Sequence, residues 1–453
     1  MVSRNVFRLL LPLTCGLLVV MLGWQGLRST AQATAAPQAA TAFTRADEPI
    51  VVTGADLPQL TGSPIDELGL YALQSGIWVP IPFQVDEVNI TGTYVIEEDG
   101  LLDENDELVF LADDTGAEAS NDQWVGDLGS LLYPRVSIQA TDPLYVGEEG
   151  WVYLYRSSTL AKSTVSYISW DADTETIAAT NYSASFDQTN FIGLSTLSIN
   201  GSGDILDRQK VRVDVTPLGM ITEDDLAMFL SQLGLPSTLT VAALGPIRAA
   251  TGNLAVGIGF AFYGSRIDLD LTFPLSDTVI VTNNVQLPLQ FQSAFTSLDL
   301  LNPTQTGMAP ATYYDPNVPA GVAIDGAADS VPVSPWHNYS VVSGQVGTIV
   351  DVMEVDRGQG HIRNYYIDNS TIDDADTGDR KSFGNAGIGI ERSNANTEIG
   401  MIQINQRFYI LTGPQGNVGP DYVTRTDNPF TTTTVGEVNP DANFIFLPVN
   451  LRP

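Results

Sequence analysis

The chain has 453 residues, with 20 Lys and Arg against 53 Asp and Glu and a formal net charge of −33. A surface this acidic repels polyanions, which excludes nucleic acid and anionic membrane surfaces as partners and leaves cations and neutral or basic ligands. Hydrophobic residues make up 43% of the chain, an ordinary share for a globular core, so the acidity belongs to the surface and does not signal disorder.

Arg4 and Arg8 precede an apolar run from Leu9 to Leu22, and Ala31-Gln32-Ala33 has the small-x-small form that signal peptidase cuts. Residues 1–33 are therefore expected to be a signal peptide, and the protein secreted or at the cell surface, extracellular or periplasmic. The run is short for a membrane span, so no stable span is expected after cleavage. Cys15, the one cysteine, lies inside it; the exported chain has no thiol chemistry and must be held by its core and by ions. Residues 34–48, rich in Ala, Thr and Gln, read as a flexible leader.

From Pro49 onward the pattern is short β-rich runs bounded by Gly, Pro, Asp and Asn. Ile267-Asp268-Leu269-Asp270-Leu271 and Val285-Gln286-Leu287-Pro288-Leu289 alternate as half-buried strands do, and Asn283-Asn284 before the second is a hairpin signal. One helix is expected at 222–233: Thr222 caps it, acids follow in its first turn, and Gly234 and Pro236 stop it. Residues 302–334, rich in Pro, Ala and Asp, read as a loop or linker between a lobe at 49–301 and a C-terminal β region at 335–453 that packs on it. The expected fold is all-β, a large antiparallel β-sandwich or two sandwiches packed together, with one short internal helix.

Seven carboxylates fall between Glu97 and Glu107. Setting Gly100 on the glycine of an EF-hand-type loop puts Glu97, Asp99, Asp103 and Asp106 on ligand positions and Leu102 on the apolar anchor, with Asp86 or Glu87 completing the shell from a neighbouring strand. Val95 stands where the first ligand belongs, so the match covers the second half of the loop, and a solvated acidic turn is the competing reading. A second oxygen-rich loop offers Asp374, Asp376 and Asp379. Calcium is the expected cofactor.

The chain has two histidines. In His361-Ile362-Arg363-Asn364-Tyr365 the two-residue period puts His361, Arg363 and Tyr365 on one strand face. That is the set needed to eliminate across a uronic acid, with the cation on the carboxylate and His or Tyr moving the proton; a solvent-facing strand surface has the same pattern. Trp336 and His337 form a candidate sugar platform, although a Trp at a strand entry also serves as core. No Gly-x-Ser-x-Gly elbow, phosphate-binding loop or His-Glu-x-x-His motif occurs.

The Trp78–Asp114 segment is similar to one found in uncharacterised secreted bacterial β-rich proteins, which implies an extracellular location. Leu244-Gly245-Pro246-Ile247-Arg248 resembles a turn of the galactose-mutarotase-like supersandwich proteins, which implies a large sandwich fold. The reading is a secreted, calcium-stabilised β-protein with a cell-surface structural or glycan-binding role; the alternative is a lyase-like carbohydrate-active enzyme acting on acidic polysaccharide.

Overall fold

A computed structural model describes residues 42–96, 99–187, 190–223, 225, 228, 240–251, 257–274, 278–282, 285–355, 361–371, 381–392 and 401–440. Within them the protein is all-β and its strand pairings are antiparallel, in sheets of three, four, five, six and nine strands. Alternation does what the sequence requires of it. Ile267, Leu269 and Leu271 are buried, while Asp268 and Asp270 between them keep partial exposure. Thr278–Thr282 pairs with Val285–Leu300 through Thr282 opposite Val285, so the hairpin expected at Asn283-Asn284 is formed, although 283–284 themselves lie outside the described residues.

The first of two sandwiches uses residues 43–156 together with Thr431–Glu437. Its three-stranded sheet orders Pro49–Thr53, Glu107–Leu111 and Gln84–Asp86, and its five-stranded sheet orders Thr431–Glu437, Arg135–Thr141, Glu149–Arg156, Leu68–Gln74 and Ile77–Pro80. Ile50, Val52, Leu70, Leu102, Leu108, Phe110, Val136 and Leu154 close the space between them. Thr431–Glu437, the last described strand, thus returns to pair with Arg135–Thr141. Arg135 fixes it there, with Nε 2.5 Å from Glu437 Oε2 and its guanidinium 4.6 Å from the Trp124 ring centre.

The second sandwich packs the six-stranded sheet, with Leu298, Leu300, Ala386 and Ile388, against the nine-stranded sheet, with Ile349, Ile404, Phe408 and Ile410. Ala184, Phe186 and Leu197 of the four-stranded sheet join the same core.

Two stretches carry structure that the sequence reading did not assign to them. In the stretch read as leader, Phe43 and Arg45 are buried, because Arg45 makes a two-pronged contact with Asp142 at 2.7 Å on each side and lies over the Phe430 ring. In the stretch read as linker, Thr312–Tyr314 and Val322–Ala323 are strands of the nine-stranded sheet, and Ala311, Tyr313 and Ile324 are buried in the main core. Of the helix expected at 222–233, residues 222, 223, 225 and 228 are described and the last three are helical; the rest of it lies outside the described residues. Among the described residues the helix of seven or more is Gly419–Asp427, whose Tyr422 packs on Tyr409 at 4.6 Å. No described helix is long and apolar enough to cross a membrane.

Candidate functional site: a cleft beside Phe83

Two prolines set the site. Strand Ile77–Pro80 lies at the edge of the five-stranded sheet and strand Gln84–Asp86 at the edge of the three-stranded sheet. Pro80 and Pro82 lack the N–H that would continue either ladder. The chain therefore crosses from one sheet to the other at 81–83, with Ile81 in the core, its N–H on the Leu70 carbonyl at 3.0 Å, and Phe83 half-buried at the open side. A cleft of about 640 Å³ runs along this crossing. Its apolar lining comes from Ile65, Ile81, Pro82, Phe83, Val85 and Pro246, and its polar lining from Asp66, Gln84, Glu87, Lys162 and Ser163. The volume lies in the range of small-molecule sites, and the mixture of apolar walls with a few polar groups is what such sites use.

Pro246 reaches the cleft because the turn Gly245-Pro246-Ile247-Arg248 is latched onto Gln84. The Gln84 amide oxygen accepts from the backbone N–H of Ile247 at 3.0 Å and of Arg248 at 2.8 Å, and its amide nitrogen donates to the Arg248 carbonyl at 3.1 Å. Gln84 thereby acts as a strand edge would toward the turn. Gly245 is required for that approach: a Cβ there would stand 2.4 Å from the Gln84 amide oxygen. Beneath it the Arg248 guanidinium donates to Asp86 Oδ2 through Nε at 2.9 Å and Nη2 at 2.5 Å, and to Glu107 Oε2 at 2.6 Å. Tyr94 lies 4.6 Å over that guanidinium and donates to Glu107 at 2.9 Å. Burial raises the Asp86 carboxyl above the usual carboxylate range, against the pull of Arg248.

The acidic loop is organised by its own backbone. Glu87 Oε1 accepts from Asp99 N at 3.1 Å and Gly100 N at 2.7 Å, and Asp99 Oδ1 accepts from Leu101 N at 2.8 Å. Asp106, 1% exposed, accepts from Val88 N at 3.1 Å and from Asp103 N at 2.7 Å. Gly100 takes the left-handed conformation at φ +71° and Leu102 is fully buried, so the turn and its anchor sit where the sequence put them. Asp86 meets Arg248, Asp99 and Asp106 accept from backbone amides, and among the described residues no three His, Cys, Asp or Glu are grouped to hold a metal ion. Glu97, Asp374, Asp376 and Asp379 lie outside the described residues.

The second candidate row is placed on one face as expected. His361, Arg363 and Tyr365 point away from the core on the edge strand His361–Asn369, while Asn364, Tyr366 and Asp368 are buried. Arg363 Nη2 meets Glu391 Oε1 at 3.0 Å across the neighbouring strand, and the Tyr365 ring stacks on Phe295 at 4.7 Å. Trp336 is half-buried against the main core, and His337 is held through its backbone, its N–H donating to Asn364 Oδ1 at 2.9 Å. The structure does not join these residues to the cleft lining. What the sequence reading missed is Gln84, Phe83 and Pro246 as one site. The available signal was a polar pair, Gln84 and Asp86, on the same side of an otherwise apolar strand.

No protein-family model matches the sequence, and no curated protein matches it. Among solved structures, an α-mannosidase from Enterococcus faecalis V583 aligns with a TM-score of 0.40 at 10% identity over 88% of this chain and 45% of its own. A glycosyl hydrolase family 38 protein from Enterococcus faecalis gives 0.38 at 11% identity over 88% and 47%. A family GH92 α-mannosidase from Bacteroides thetaiotaomicron gives 0.25 at 12% over 59% and 34%. The chain thus spans about half the length of the first two, and likeness at this level assigns neither a family nor an activity.

Proposed function

We propose that this is an exported glycan-binding protein without catalytic activity, and that the cleft beside Phe83 is where the glycan lies. The observation that carries the reading is the cleft itself: an open trough whose Phe83 and Pro246 rings suit the C–H face of a sugar, rimmed by Asp66, Lys162 and Ser163 for its hydroxyls. The latch from Gln84 to the 247–248 backbone supports it, because it holds Pro246 in place before any ligand arrives. The lyase alternative needs a cation for a uronate carboxylate, and Arg363 is already bound to Glu391.

The test is calorimetric titration of the purified protein with a panel of oligosaccharides, repeated with Phe83→Ala. Binding to at least one oligosaccharide is expected, weakened about tenfold or more by Phe83→Ala, as loss of an aromatic anchor costs more than about 1 kcal/mol. Binding that survives Phe83→Ala unchanged places the glycan elsewhere, and release of unsaturated product from a uronic-acid polysaccharide would restore the enzyme reading.

A further inference from the structure

The cleft also has a sign. Its ionisable lining residues are Asp66, Glu87 and Lys162. The Lys162 ammonium is turned onto the Asp66 backbone carbonyl at 2.7 Å, and no arginine lines the space among the described residues. Two arginines bound to neighbours of the lining residues have carboxylate partners: Arg156 with Glu67 at 2.8 Å, Arg248 with Asp86 and Glu107. The same holds farther off, where Arg45, Arg135 and Arg266 are held by Asp142, Glu437 and Asp268. A polyanion needs free forked cations to bind its carboxylates or sulfates, and these guanidinium groups already hold the protein's own acids. The exposed Asp66 carboxylate at the rim, in a chain of net charge −33, attracts the opposite class.

Resting on the glycan reading above, we propose that the cleft selects amino-sugar chains bearing free ammonium groups, with Asp66 as the residue that reads the charge. The probes are three oligosaccharides of equal length: a β-1,4-linked glucosamine hexamer, its N-acetylated counterpart and a galacturonic acid hexamer, each titrated calorimetrically into the full protein. The glucosamine hexamer is expected to bind about tenfold more tightly than the N-acetylated one and the galacturonate weakest. The gap should close in about 1 M salt, where the screening length falls to about 3 Å. Asp66→Asn should bring the first two affinities within about twofold of each other, while Asp427→Asn, at an exposed carboxylate on the C-terminal helix, leaves the preference as it was. Equal binding of glucosamine and N-acetylglucosamine hexamers, tighter binding of galacturonate, or a preference that survives Asp66→Asn overturns the proposal while the glycan reading stands. No binding by any of the three also overturns the proposal, while the glycan reading itself falls only if the wider oligosaccharide panel fails to bind as well.

Discussion

Replacing Arg248 with Met tests whether the latch beneath the cleft is a structural necessity. Arg248 and Asp86 have side chains 2% and 4% exposed, whereas Glu107 is 26% exposed and reaches water. Without the guanidinium, Asp86 is a buried carboxylate supported by the Gln84 amide alone, and breaking a buried pair from one side costs about 3–5 kcal/mol. Removing both charges, as Arg248→Met with Asp86→Leu, leaves neither ion uncompensated. The double variant is then expected to regain most of the single variant's loss, a coupling of about 2 kcal/mol or more. Urea unfolding followed by circular dichroism reads this as a drop in midpoint at constant slope for the single variant and its recovery in the double. The reasoning fails if Arg248→Met costs less than about 1 kcal/mol, or if the two substitutions simply add.

Two further outcomes follow from buried acids. Asp351, 4% exposed inside the larger core, has only the Gln406 amide as side-chain partner among the described residues, at 2.8 Å, and burial raises its pKa to about 7 from 3.8. The unfolded chain releases this proton near pH 3.8 and the folded chain holds it to about 7, so the protein loses stability as pH climbs through that window. Asp351→Asn keeps the acceptor for Gln406 and should stabilise the protein by up to about 4 kcal/mol above pH 7 and by nothing near pH 4; equal gains at both pH values would refute it. Asp106→Ala removes two backbone contacts and should cost about 1–3 kcal/mol. The loss should be the same with and without chelator in a thermal melt, because that carboxylate serves amides; a loss that chelation abolishes would put a cation back at Asp106.

Local pattern carried most of the fold and little of the site, for one physical reason. Alternation in Ile267–Leu271, the Asn283-Asn284 turn signal and the Leu102 anchor all express constraints between neighbours in the chain, which a single sequence displays. The latch joins Gln84 to Arg248 across 164 positions, and nothing within either segment names the other. Charge is hard to read for a related reason. In a chain with so many acids the carboxylates at Asp86 and Asp106 read as part of a repelling cluster that calls for a cation, and the partners the fold gives them, an arginine for one and backbone amides for the other, are not marked in the sequence around them. The cue was positional: Gln84 and Asp86 occupy the buried side of their strand, with the half-buried Val85 between them. A polar residue at an inward position requires an internal partner. With 20 Lys and Arg against 53 Asp and Glu, the sequence says that such a partner is needed but not which cation supplies it. Arg248 is that cation, and by meeting Asp86 it carries Pro246 to the wall of the cleft.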